Sequence, residues 1–208
     1  MQQNVYICNS VYQDSGPLDM DYKDNSIDFI GRMCISCIGE LLKSDEVMEQ
    51  DVPIFWGSCL SSVKSQHEFN SVLETSGALS VNPRFFPNAV LNAPPSRVSI
   101  YYNIKSPLFN ISGGLDSGIK ALKLAALYIA NGEMEHAIVC YVDETSEFGE
   151  HVFPEKNRNF CGALYLSSKK NTTCLNEEVD RLSELQDSEE TFRLLTDYYK
   201  KKGNGEWI

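Results

Sequence analysis

Positive charge is scarce in this sequence. Its 208 residues carry 18 Lys and Arg against 29 Asp and Glu, a formal net charge of −11. Tight binding to a nucleic-acid backbone depends on clustered Lys and Arg, so nucleic acid is excluded as the expected partner. Long apolar runs are also missing. No stretch reaches the ~18 uncharged residues of a membrane span, and the opening "MQQNVYICNSVY" has neither a basic segment nor the apolar core of a secretory leader. A cytoplasmic protein is expected. Histidine is rare, with His67, His136 and His151 far apart in sequence, which leaves no His pair at metal-binding spacing. There is no internal repeat, no low-complexity segment and no cofactor-binding signature. "SGGLDSG", 112–118, lacks the Lys and the Gly spacing of a phosphate-binding loop. The chain length fits one domain, enough to bury roughly 70% of its unfolded surface.

What is present begins with seven cysteines, at 8, 34, 37, 59, 140, 161 and 174. Their number is odd and most lie in apolar runs, which predicts buried, reduced thiols. Cys34 and Cys37 form a C-x-x-C in the middle of the helical run "IDFIGRMCISCIGELL". A redox pair would sit at a helix start and a zinc pair would want a second pair. Core packing is the expectation, and no metal site is expected.

The order of elements follows from apolar spacing. "NVYICN", 4–9, reads as a strand, followed by a loop with Gly16 and Pro17. A helix spans 25–44, with Asn25 or Ser26 as its cap. "VPIFWGSCLSS", 52–62, gives a second strand ending at Gly57, and 62–77 a helix closed by Gly77. Residues 82–104 start extended around Pro83 and Pro87, then turn helical with Pro94 and Pro95 as interruptions. "PLFNIS", 107–112, is a third strand. The helix over 115–130 is apolar around most of its circumference, which predicts burial on more than one side. Strands follow at 136–144 and 159–168. Residues 176–208 hold nine acids and five bases; Asp187 and Glu190 sit at capping-box spacing, and Phe192, Leu195 and Tyr199 share a helical face. An amphipathic helical tail ending in a mobile "KKGNGEWI" is predicted. Helix crossovers between most strands predict an α/β fold with a five-stranded, mostly parallel sheet and helices on both faces.

The segment "RFFPNAVLNAPPSRVSIYYNIKSPLFNIS", 84–112, followed by "SGIKALKLAALYIANGEMEHAIVCYVDE", 117–144, resembles the β-ketoacyl synthase family of fatty-acid and polyketide assembly. In particular it is similar to the short ketoacyl-synthase-like N-terminal domain proteins of bacterial polyene and related lipid pathways. The resemblance runs from about residue 4 to 170. It implies the first half of a thiolase-like fold over 1–172, with 173–208 as the tail. It also implies that "FNISGGLDSG" stands where the family has the strand and the Thr-Ala-Cys turn that takes an acyl chain from an acyl carrier protein. On that pattern Gly113 and Gly114 replace Thr-Ala, and the cysteine position falls on Leu115. Leucine has no nucleophilic atom, so thioester transfer there is excluded. The family's catalytic histidines belong to a second half, and none of His67, His136 and His151 matches one.

Other residues were weighed as nucleophile or base. Asp116 adjoins the turn, and Ser117 lies two positions on, pointing to another side of the helix; capping is the expected role. Cys59, Cys140 and Cys161 lie in strands and read as core. Asp143 and Glu144, at a strand end, form a candidate carboxylate pair. Two functions follow as expectations. One is a non-catalytic subunit, in the manner of chain-length factors, that associates with a second copy or a ketosynthase through the Leu115–Ala130 helix face. An acyl carrier protein is a further partner, for which Arg84, Arg97, Lys105 and Lys120 are the available cations. The alternative is a stand-alone acyltransferase or hydrolase with another nucleophile. If the tail folds back, it would cover that helix face.

Overall fold

The computed structural model describes residues 3–14, 26–43, 51–154, 159–169, 173–175 and 186–203. In chain order the elements are β1 (Tyr6–Asp14), α1 (Phe29–Leu42), β2 (Ile54–Ser58), α2 (Val63–Ser76), 3-10 segments at Ala78–Ser80 and Pro83–Ala89, α3 (Ala93–Tyr101), β3 (Leu108–Ser112), α4 (Ser117–Ala130), β4 (His136–Asp143), α5 (Glu147–Val152), β5 (Phe160–Ser167), β6 (Thr173–Cys174) and α6 (Ser188–Gly203).

One sheet runs in the order β3-β2-β4-β5-β1-β6. The α/β class and the helices on both faces are as expected, but the sheet is mixed and not mostly parallel. Only β2–β3 and β2–β4 pair parallel. The pairs β4–β5, β1–β5 and β1–β6 are antiparallel. The reason is in the connections. A parallel neighbour needs a full helical crossover, which α4 supplies between β3 and β4; between β4 and β5 stands only the six-residue α5. The two-residue β6 adds a sixth strand on the edge of β1.

Strand alternation sorts the core into two layers. Ile54, Trp56, Ile138, Cys140, Val142, Cys161, Ala163 and Tyr165 face α1 and α3. Phe55, Val139, Tyr141, Leu164 and Leu166 face the other way, onto α4 and α6. The cysteines of "CISC" are fully buried in the first layer, as expected.

Local signals account for most boundaries. α1 is capped by Asp28, whose carboxylate accepts from the Gly31 N–H at 3.1 Å; Ser26 is not the cap, and Asn25 lies outside the described residues, as do Gly16 and Pro17. Gly77 closes α2 at φ +80°. Pro94 and Pro95 do not interrupt a helix; they sit in the first turn of α3, where the missing N–H and fixed φ suit a start. Pro83 likewise opens a 3-10 segment instead of extended chain.

The tail is folded back. Phe192 and Leu195 of α6 are buried and Tyr199 is half-buried in the second layer. The Tyr199 hydroxyl donates to the Cys8 carbonyl. Arg193 donates to both carboxylate oxygens of Asp14 and stacks over Tyr12 and Phe160. The Glu190 N–H donates to the Asp187 carboxylate at 3.0 Å, so the Asp cap forms. The outer face of α4 is formed by Lys120, Lys123 and the exposed apolar Leu127. Residues 204–208, the expected mobile end, lie outside the described residues.

If α6 is part of the core, Phe192→Ala should cost about 3–5 kcal/mol in urea unfolding. Removing residues 186–208 should make the protein aggregate. A truncated chain that stays monomeric with an unchanged midpoint would contradict this.

Candidate functional site

The parallel strands β2, β3 and β4 end on the same side, and the ends of parallel strands are where open α/β sheets bind ligands. β3 ends at Ser112, and Gly113–Asp116 turn the chain into α4, with Gly114 at φ +103°. A positive φ suits glycine, and here it lets α4 start close to the sheet. Gly57 of β2 makes that closeness possible: a Cβ on it would lie 2.6 Å from the Gly118 backbone.

Leu115 sits half-buried in this turn. Its carbonyl accepts the Ser188 N–H at 2.9 Å and the Ser188 hydroxyl at 2.6 Å. The Ser188 Oγ in turn accepts the N–H groups of Gly118 and Ile119 at 2.8 and 3.3 Å. A helix N-terminus is an anion site only while its N–H groups are open. Here the tail occupies two of them. Nothing local in the sequence signals this contact, because Ser188 is some seventy residues from its partners.

Ser117 is fully buried; its hydroxyl accepts the Gly113 N–H at 2.9 Å and donates to the Gly114 carbonyl at 2.6 Å. Both bonds lie within the turn, so Ser117 braces the turn; neither it nor the N-cap residue Asp116 caps α4 with its side chain, contrary to expectation. Asp116 pairs with Lys120 at 2.9 Å. Neither has a histidine beside it. His136 begins β4, at the opposite end from the turn, and bonds the Tyr165 hydroxyl; His67 pairs with Glu147 at 3.7 Å, and His151 is exposed in α5.

Cys59 stands closer to the chemistry than the sequence suggests, half-exposed just past the end of β2. Its thiol is pushed up to about 12, first by burial and then by the carboxylates of Asp143, Asp116 and Asp187. A thiol nucleophile needs the reverse, a cation or an open helix N-terminus beside it. Cys140 and Cys161 are buried with their sulfurs 3.8 Å apart, and burial raises both. Among the described residues no group of three or more His, Cys, Asp and Glu is placed to hold a metal ion.

Asp143 and Glu144 do not form a pair. The Asp143 carboxylate accepts from Ser58 Oγ (2.8 Å), Leu60 N (2.8 Å), Cys59 N (3.1 Å) and the Tyr141 hydroxyl. Burial raises the Asp143 carboxyl, and these donors oppose the shift. Successive inward N–H groups bend the loop tightly enough to hold Ser61 at φ +45°. Asp143 is therefore a structural anchor for the β2–α2 loop. Glu144, next along, points away to Lys64 Nζ at 2.7 Å.

A family model described as "Beta-ketoacyl synthase, N-terminal domain" matches residues 19–160. The chain belongs to this family. A ketosynthase in complex with its chain length factor from Xenorhabdus doucetiae is similar, with TM-score 0.66 and 16% identity over 81% of this chain and 80% of that one. The ishigamide ketosynthase/chain length factor gives TM-score 0.59 and 18% identity, covering 69% of this chain and 44% of that one. A β-ketoacyl synthase from Burkholderia phymatum gives 0.64 and 13%, covering 86% and 61%. The chain thus spans less than two thirds of the latter two, 44% and 61%. No curated protein sequence matches. The fold is the thiolase-like fold of ketosynthases, and no helix among the described residues is long and apolar enough to cross a membrane.

Two outcomes test the site. At pH 8 a thiol titrating near 12 is ionised to roughly one part in ten thousand. Iodoacetamide labelling of Cys59, read by peptide mass spectrometry, should be about a thousandfold slower than for a free thiol and should rise with pH through 11; labelling at the free-thiol rate would remove the carboxylate account. Ser188→Ala should cost about 1–2 kcal/mol in urea unfolding.

Proposed function

We propose that the protein is a non-catalytic, ketosynthase-like subunit that associates with a ketosynthase or carrier-protein system in fatty-acid or polyketide biosynthesis, of which polyene assembly is one case. We read residues 1–172 as the ketosynthase-like half domain, 173–208 as an amphipathic helical tail whose helix α6 packs onto it, and Leu115 as the family's cysteine position. One observation carries this reading: leucine stands in the turn, and Ser188 fills the helix N-terminus beside it. Cys59, the half-exposed thiol at the strand ends, is pushed toward its protonated form first by burial and then by its carboxylate neighbours. Ser117 is spent on its own turn.

The partner reading rests on surface as well as likeness. β3 ends the sheet and pairs only with β2, so its outer edge is open among the described residues. α2 buries no residue. The segment after it shows Leu79, Phe86 and Leu91 to solvent, and α3 shows Ile100. Large exposed apolar side chains in such number mark an interface. Because α6 covers part of the face around α4, and Lys120 and Lys123 line its outer side, the surface offered from the Leu115–Ala130 helix narrows to Leu124, Leu127 and Tyr128, beside β3. The similar Xenorhabdus and ishigamide structures are themselves a ketosynthase with its chain length factor and a ketosynthase/chain length factor, which supports a ketosynthase as partner. The location consistent with such a system is cytoplasmic.

Two measurements test this. Intact mass after incubation with an acyl-carrier thioester should show no acyl-protein adduct, and Leu115→Cys should restore no condensation. An adduct on wild type abolished by Cys59→Ala would instead establish the stand-alone acyltransferase or hydrolase. Size-exclusion with light scattering at micromolar concentration should show self-association or a complex with an added ketosynthase; a monodisperse monomer in both cases sinks the subunit reading.

A further inference from the structure

Glu144 leads away from the turn into a separate cavity of about 490 Å³, bounded by the start of α1, by α2 and by residues 80–88. That volume is in the range of small-molecule sites. Its walls are apolar and aromatic: Phe29, Phe69, Val72, Val81 and Phe85. Its polar end holds Asp28, Glu68, Glu144 and Lys64. Three carboxylates face one ammonium there, an excess of two negative charges.

The state of each carboxylate decides what the cavity accepts. Asp28 is engaged, accepting from the Gly31 N–H and from the Ser65 hydroxyl at 2.7 Å. Glu68 is exposed at the rim. Glu144 is only 4% exposed. One of its oxygens takes the Lys64 ammonium at 2.7 Å, and the other has no hydrogen-bond partner among the described residues. That second oxygen is not sealed off; it keeps access to the cavity and is open to a donor there. Burial raises the Glu144 carboxyl, with Lys64 opposing and Asp28 and Glu68 adding to the rise. Lys64 is already neutralised, so it offers little to an incoming anion. An added cation would relieve both the open oxygen and the excess charge.

We propose that this cavity binds a small organic cation, with its ammonium head against the open oxygen of Glu144 and an apolar body of about eight carbons among Phe29, Phe69 and Phe85. The net charge of −11 raises the local concentration of cations in general. The inference stands apart from the partner reading, because none of these residues touches the turn at Leu115.

Calorimetric titration of the full chain with n-octylammonium, n-octanol and n-octanoate tests it, with amide chemical shifts to locate the site. Octylammonium should bind saturably with sub-millimolar affinity and shift the amides around residues 26–29, 64–72 and 80–88. Octanol should bind at least tenfold more weakly, and octanoate not at all. Glu144→Gln should weaken octylammonium at least tenfold. Glu68→Gln, at the exposed rim where folding is not at stake, should weaken it severalfold, and Val81→Trp, which fills the cavity, should abolish it. Octanoate binding as well as octylammonium, equal binding of all three, no binding of any, or binding that survives Val81→Trp would each overturn the proposal.

Discussion

Gly57 and Gly118 bring two stretches of backbone closer than side chains allow. A Cβ on Gly57 would meet the Gly118 Cα and N at 2.6 Å, and one on Gly118 would meet Ser188 and Tyr141 at 2.8 Å. Several features depend on this contact. It draws the first turn of α4 against the end of β2. It sets the turn at Leu115 beside the loop that Asp143 organises. It also leaves a gap just wide enough for Ser188 to reach the helix N–H groups. A methyl group at either position would push α4 outward, and the tail's hydrogen bonds would lose their partners. The same geometry that would present a nucleophile in this turn here presents a helix end already satisfied.

Most of the elements were legible in the sequence, because their signals are local. Gly77 closes α2, and apolar spacing marks α1, α4 and the central strands. The turn could be located from "GGLDSG" and the strand before it, and Leu115 stands in it. Sheet direction was less legible. Predicting a mostly parallel sheet rested on helix crossovers between most strands, but β5 pairs antiparallel with both β4 and β1. Pro94 and Pro95 misled for a related reason: proline breaks a helix interior but favours its first turn, and only the fold says which applies.

The candidate site was less legible than the fold, because its decisive contacts join residues distant in sequence. Ser188 reaches Gly118, Asp143 reaches the loop after Ser58, and Glu144 reaches Lys64. Read along the chain, Asp143 and Glu144 look like a carboxylate pair. In a strand, neighbours face opposite ways, so one became an anchor in the β2–α2 loop and the other entered a cavity. Cys59 shows the same limit. Its place in a strand suggested core, and the sequence gives no sign that burial and then the convergence of Asp143, Asp116 and Asp187 raise the thiol beside the turn.

That convergence also bears on how a carrier protein would be handled. Carrier proteins of these pathways are acidic, and the elbow gathers carboxylates from three elements around it. Lys120, the nearest exposed cation, is paired with Asp116. The other cations are dispersed: Arg97 bonds Asn88 on α3, Arg84 lies in a 3-10 segment, and Lys105 lies in the loop before β3. With charge of the wrong sign at the turn, direct docking of an acidic carrier at the elbow is electrostatically opposed. A subunit of this kind suits a division of labour in which the partner supplies both the nucleophile and the carrier-binding surface. On the proposed reading, this chain would contribute the exposed apolar side chains of α3 and residues 79–91, and the open edge of β3, to such an assembly.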